Sequence, residues 1–159
     1  MAILTVRTVP DPVLRQKSKP VQVFNASLRK LVEDMVETMF SSDGVGIAAP
    51  QVGVLERVII ACETGKPGDE QVFVNPVISA RSGEEAGTEG CLSVPGVSGD
   101  VKRAASVTLK AQNLEGGHVR LKANGFFARI LQHEIDHLDG ILFIDRVESP
   151  QKAETANPL

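Results

Sequence analysis

A chain of 159 residues, 42% hydrophobic and 23% charged, is long enough to build one domain around a proper hydrophobic core. Its formal charge of −3 argues against a nucleic-acid-binding surface, its lack of Trp and Tyr against base stacking, and the lack of any run near roughly 20 apolar residues against a membrane span. Two cysteines, Cys62 and Cys91, are too few for a secreted disulfide scaffold and suit a reducing compartment, and the first residues lack the charged-then-apolar pattern of a secretory signal.

In chain order, residues 1–24 hold Pro10, Pro12 and Pro20 and read as extended and irregular. A helix is predicted from about Ala26 to Phe40, where Leu28, Leu31, Val32, Met35, Val36, Met39 and Phe40 keep helical spacing. The small, apolar stretch Gly44 to Gln51 follows, then Arg57 to Cys62 as a buried strand. Glu63 to Glu70 reads as a polar loop, Val72 to Ile78 as strand interrupted at Pro76, and Gly83 to Gly90 as a loop. Ser106 to Gln112 and His118 to Lys122 alternate apolar with polar around Glu115-Gly116-Gly117, the pattern of a β-hairpin. A second helix is predicted between an N-cap at Asn124 and a stop at Gly140, with Phe126, Phe127, Ile130, Leu131, Ile135 and Leu138 as its apolar stripe. Strands followed by a helix argue α+β. The expected division is one domain over 1–147 and a short, polar, frayed tail over 148–159, dispensable for chemistry.

His133-Glu134-Ile135-Asp136-His137 reads H-E-x-x-H. On a helix, residues four apart share a face, so both imidazoles can reach one metal ion. Glu134 is rotated about 100° from His133 and lies beside the metal, where it can accept a proton from water. The same spacing also fits two surface histidines on an amphipathic helix, so the pattern needs a third ligand. His118, near the hairpin turn, reads as a solvated loop histidine, and Cys62, closing an apolar strand, as a buried structural thiol. Cys91, in Glu89-Gly90-Cys91-Leu92-Ser93, can complete a Cys-His-His site with a fourth position open, although its position also suits an ordinary buried cysteine. In Gly44-Val45-Gly46-Ile47-Ala48-Ala49-Pro50-Gln51, two glycines let backbone approach a ligand, and Gln51 offers an amide donor for an oxyanion.

These three segments, in this order and at these separations, resemble the three motifs of the peptide deformylases. The likeness extends to Pro10-Asp11-Pro12-Val13-Leu14-Arg15 and to Leu138-Asp139-Gly140-Ile141-Leu142-Phe143, so it spans the chain to about residue 147. It implies antiparallel strands packed around a central, C-terminal H-E-x-x-H helix, with an N-terminal helix. It also implies hydrolytic removal of the formyl group from N-terminal formyl-methionine of new polypeptides, releasing formate. By the same resemblance Cys91, His133 and His137 are metal ligands, Glu134 is the general base and acid, Gln51 and the Leu92 N–H bind the oxyanion, and Gly46 meets the substrate backbone. Val45, Ile47, Gly90, Phe126 and Ile130 are expected to wall the methionine pocket. The implied cofactor is one divalent metal ion, ferrous iron first, with zinc, nickel or cobalt as alternatives.

The implied partner is the nascent formyl-Met peptide, in the bacterial cytoplasm; an organellar mature form or a phage-encoded protein are the alternatives. Two departures stand out. The 148–159 tail is neither basic nor helix-forming, so it lacks the docking helix with which some members reach the ribosome, leaving at most a transient encounter. Val97-Ser98-Gly99-Asp100 is small and polar where some members carry an arginine that contacts the peptide. A zinc peptidase is disfavoured because no histidine follows His137 to serve as third ligand. A binding protein without turnover is disfavoured because Glu134 is intact.

Overall fold

The computed structural model describes residues 2–147, the backbone of 151–152, and residue 159. Two α-helices and two antiparallel sheets make an α+β architecture. Helix α1 (Ala26–Ser41) begins where the Asn25 carboxamide oxygen accepts the Leu28 N–H at 3.1 Å, which satisfies one of the otherwise orphaned first-turn donors. The five-stranded sheet runs in the order β1 (Gly46–Ala48), β2 (Val58–Ala61), β3 (Gln71–Ser82), β6 (Ser106–Gln112), β7 (His118–Asn124). Helix α2 (Gly125–Leu138) covers one face and α1 the other.

The strand period decides which side chain meets which helix. On β2, Ile59 and Ala61 join the cluster with Ile130, Leu131 and Leu138 of α2, while Val58, Ile60 and the adjacent Cys62 join Leu28, Val32, Met35 and Met39 of α1. On β6 and β7, Val107, Leu109, Ala111 and Ala123 face α2, as the predicted hairpin requires. The hairpin register runs from Gln112 opposite His118 to Ser106 opposite Asn124. Asn113 closes the turn, its Oδ1 accepting the Gly117 N–H at 2.8 Å and the Glu115 N–H at 3.0 Å.

The predicted break at Pro76 is a bulge within one long strand. Pairing of β3 with β6 shifts register between Val74 and Val77, and Asn75 there takes a φ of 51°. Pro lacks an N–H and fits a sheet at such a bulge. The Asn75 carboxamide exchanges hydrogen bonds with Val21 N–H and C=O and also donates to Gln112, tying the N-terminal segment to the sheet.

Two expectations are corrected. Residues 83–90 are mostly not a loop: Glu85–Cys91 is strand β4, paired antiparallel with β5 (Val94–Arg103) in a second, three-stranded sheet. Asn124 stands at the start of α2 without capping it; its Oδ1 accepts from Ser106 Oγ at 2.6 Å. The tail expectation falls mainly on 148–150 and 153–158, outside the described residues. Of its described parts, Gln151–Lys152 forms β8 against Ser98 and Val97, and Leu159 is 2% exposed. Among the described residues no helix is long and apolar enough to cross a membrane.

Candidate metal centre

Helix α2 is buried almost all round, from Ala128 to Ile135 and at His137 and Leu138. A helix clasped between two sheets holds its polar side chains out of water only if they have partners. It stops where Gly140, at φ 74°, passes so close to the Arg15 carbonyl that a Cβ would lie 2.6 Å from that oxygen. The second sheet brings Cys91 to this helix. β4 ends at Cys91, which pairs with Val94 across a tight turn through Leu92 and Ser93.

Cys91 Sγ, a ring nitrogen of His133 and one of His137 all lie within 4.8 Å of one another, and all three residues are buried. Cys91 Sγ is 3.3 Å from His137 Nε2, and the two imidazoles meet edge to face with centroids 5.1 Å apart. His133 Nδ1 is 2.9 Å from Glu89 Oε1, so its tautomer is set by that carboxylate and Nε2 is aimed inward without a protein partner. A buried, unpartnered imidazole nitrogen beside a thiol and a second imidazole costs stability unless a cation sits among them. One soft and two borderline donors suit zinc, ferrous iron, cobalt or nickel, so the residues fit a divalent transition metal.

Glu89 is the hub beneath this group. Its carboxylate accepts from Arg103 Nε at 2.9 Å, from Arg103 Nη2 at 2.8 Å and from Arg129 Nη1 at 2.7 Å. Arg103 also reaches Asp136 at 2.6 Å, and Asp136 in turn pairs with Arg146. Burial alone would raise Glu89, but Arg103 and His133 hold its carboxyl well below the ordinary range. Arg129 runs across β4, donating to the Glu85 and Val101 carbonyls at 2.9 Å each. Gly87 leaves room for it, since a Cβ there would lie 3.0 Å from the guanidinium carbon.

Glu134 is fully buried, and neither carboxylate oxygen has a hydrogen-bond partner. Burial, only partly opposed by His133, pushes its pKa up to about 7. A carboxylate so tuned can take and return a proton near neutrality. Burial pulls His133 down, but Glu134, Cys91 and Glu89 outweigh it and raise the imidazole to about 10. Burial and the neighbouring His133 push His137 well below its ordinary value. A cation between the rings substitutes for that proton and favours the neutral imidazoles.

Gly46 backs directly onto Glu134: a Cβ would collide with its Oε2 and lie 2.9 Å from Ile130 Cγ2. Gln51 is buried at 0% exposure, its Oε1 accepting the Ala48 N–H at 2.9 Å. That bond orients Nε2 toward Ser93 Oγ at 3.2 Å and Cys91 Sγ at 3.5 Å. Leu92 follows Cys91 in the turn, with its side chain against Gly44. The fold thus gathers Gly46, Gln51, Cys91, Leu92, His133, Glu134 and His137.

The expected pocket walls divide. Val45 and Ile130 share the buried cluster on the α2 face, and Gly90 is buried beside Cys91. Ile47 belongs instead to the α1 cluster, because on β1 it points to the opposite face from Ala48, and it does not join Val45 and Ile130. Phe126, 44% exposed in the first turn of α2, lies outside that buried cluster, and Phe127 packs against it. His118 is exposed at the start of β7, and Cys62 packs against α1, so neither joins the metal group. Sequence reading left Glu89, Arg103 and Arg129 without roles. The available signal was an acidic residue two before Cys91 and an arginine inside the apolar stretch of α2.

A family model for polypeptide deformylase matches residues 3–153. A peptide deformylase of Thermomicrobium roseum is 48% identical over 154 residues, covering 93% of this chain and 88% of its own. One of Halothermothrix orenii is 50% identical over 147 residues, covering 92% and 95%. Crystal structures of peptide deformylases from Legionella pneumophila and Thermotoga maritima match with TM-scores of 0.90 and 0.89, at 44% and 39% identity. They cover 92% and 94% of this chain and 87% and 100% of their own.

Proposed function

The chain belongs to the polypeptide deformylase family, and from that premise we propose how its residues divide the labour of removing N-formyl groups from formyl-methionine peptides. The observation that carries the reading is the convergence of the Cys91, His133 and His137 donors beside the buried, unpartnered carboxylate of Glu134. Cys91, His133 and His137 hold one divalent metal, ferrous iron in the native protein, with zinc, nickel or cobalt as substitutes. When bound, such a metal supplies Lewis acidity and brings the pKa of water to about 7.

The remaining work falls to the protein. Glu89 holds His133 in one tautomer and one orientation. Gly46, with no side chain, lets the substrate backbone lie close to Glu134. As water attacks the formyl carbon, the developing oxyanion takes hydrogen bonds from Gln51 Nε2 and the Leu92 N–H. Ala48 pre-aims the Gln51 amide, so no reorganisation is needed at that moment. Glu134 accepts the water proton and delivers it to the departing amine, after which formate and the free N-terminus leave. Val45 and Ile130 supply the apolar wall for the methionine side chain.

Formate released from formyl-Met-Ala-Ser, read through a coupled formate dehydrogenase, tests the assignment. The anaerobic ferrous form is expected to turn over fastest. No turnover by the ferrous, cobalt and nickel forms alike would sink the reading.

A further inference from the structure

On a chain of net charge −3, cations nevertheless collect in one hollow. A cavity of about 300 Å³ opens between the end of β3, the end of β5 and α2. Arg81, Lys102, Arg103 and Arg146 line it with a single carboxylate, Asp136. Its volume stands at the lower end of small-molecule sites. From α2 it takes Gln132, Ile135 and Asp136, a different strip of the helix from the one that bears His133, Glu134 and His137.

The charges around it do not balance. Glu89 and Asp136 are the carboxylates of the buried network, and Arg103, Arg129 and Arg146 its guanidinium groups. One positive charge is left over when His133 is neutral. Arg81 and Lys102 add two more; both are exposed, and neither has a salt bridge among the described residues. Arg146 commits Nε and Nη2 to Asp136, and Arg103 gives one bond from each of its three nitrogens, so N–H groups remain on both forks. Like charges that converge on a concave wall focus their field there and repel until an anion enters.

We propose that this cavity is a binding site for a compact phosphoryl dianion, free or carried as a phosphomonoester, held by Arg81, Lys102 and Arg146 over Arg103. Guanidinium forks match phosphoryl oxygens two at a time, and a lysine adds a point charge. A carboxylate offers two oxygens and a single charge, too little for the surplus; a phosphoryl group offers three oxygens and nearly two charges. The bound anion completes the Arg103–Asp136–Arg146 network from its solvent side. The site is independent of the reaction assigned above: absent formate release with intact phosphate binding leaves it standing.

The test uses zinc-loaded protein at constant ionic strength, with chloride as the balancing anion. Calorimetry follows inorganic phosphate, AMP and an oligouridylate into the parent, Arg81→Gln, Lys102→Gln, the double variant and Lys110→Gln. The last removes an exposed cation of β6 outside the cavity. The parent is expected to bind phosphate saturably, one ion per chain. Arg81→Gln and Lys102→Gln each weaken it by about 5- to 10-fold, while Lys110→Gln changes it by less than about twofold. Phosphate raises the Tm of the parent and of Lys110→Gln and leaves that of the double variant where it was. Tighter binding of AMP identifies a phosphomonoester as the ligand, and tighter binding of phosphate the free ion; either result supports the site. Absence of saturable binding overturns the proposal. So does phosphate binding that survives the double variant, which puts the ion elsewhere, the metal centre included, or that falls equally in Lys110→Gln. An oligouridylate that binds more tightly than both, with the same loss in the variants, replaces the compact site with a nucleic-acid surface.

Discussion

At the scale of single residues, Glu134 and Gly46 depend on each other. Glu134→Gln keeps the shape of the side chain and removes its basicity. It is expected to retain the metal and lose about 10²–10⁴ in kcat or more, because the same group serves both proton transfers. Metal analysis beside formate release checks it, and a variant within tenfold of the parent would place the base elsewhere. Gly46→Ala puts a methyl group into Glu134 Oε2 and against Ile130, so the carboxylate must move. A loss of at least tenfold in kcat/KM is expected, about 1.4 kcal/mol, with an unchanged circular dichroism spectrum; an alanine variant as active as the parent would show that the carboxylate has slack. Both cysteines are buried, so burial alone does not separate them. Cys62 Sγ bonds locally, 3.4 Å from the Lys66 carbonyl, whereas Cys91 faces two imidazoles. Cys91→Ser should therefore strip the metal and Cys62→Ser should not; equal metal content by mass spectrometry would contradict this.

At the scale of elements, Glu89 joins β4, β5 and α2 through Arg103, Arg129 and His133. Glu89→Gln leaves two buried guanidinium groups short of charge. Breaking a buried network in this way costs about 3–5 kcal/mol, a fall in Tm of about 6–20 °C for a chain of this size. A calorimetric fall below 3 °C would mean that the arginines find other partners. The pH sign follows from the direction of the shift. Glu89 is depressed in the folded state, so its contribution is complete above its ordinary value of 4.5 and is lost as pH falls below it. The parent should lose stability steeply on the acid side of pH 4.5, and Glu89→Gln should show a flatter slope there. The same network explains why β4 was illegible in the sequence. Glu85-Ala86-Gly87-Thr88-Glu89-Gly90 has poor strand propensity, and each small or acidic residue reads as loop. Pairing with β5, which follows after a two-residue turn, and the passage of Arg129 over Gly87 from 42 positions away decide the matter.

At the scale of the whole molecule, the Cys91, His133 and His137 group joins the three-stranded sheet, through Cys91, to the helix that packs on the five-stranded sheet. An ion bound at a thousand times its Kd adds about 4 kcal/mol to the folded state, so chelation should lower Tm by on the order of 10 °C. In Cys91→Ser the chelator should have little further effect, and equal chelator sensitivity in both proteins would locate the stabilising ion elsewhere. The sequence by itself determined the two helices, the hairpin over 106–122 and the shared helix face of His133 and His137, all carried by local spacing: period 3.6 on the helices, period 2 on the hairpin, and i, i+4 for the histidines. Cys91 has no such spacing and entered as their companion through the resemblance to the deformylase motifs. Only the tertiary structure decided the rest. It turned Ile47 away from Val45, because face assignment on a short strand depends on which helix covers which side. It gave Glu89 its two arginines, and it brought Leu159 to Gly90 across 69 positions of sequence, because such contacts depend on the path of the folded chain and leave no periodic trace in composition.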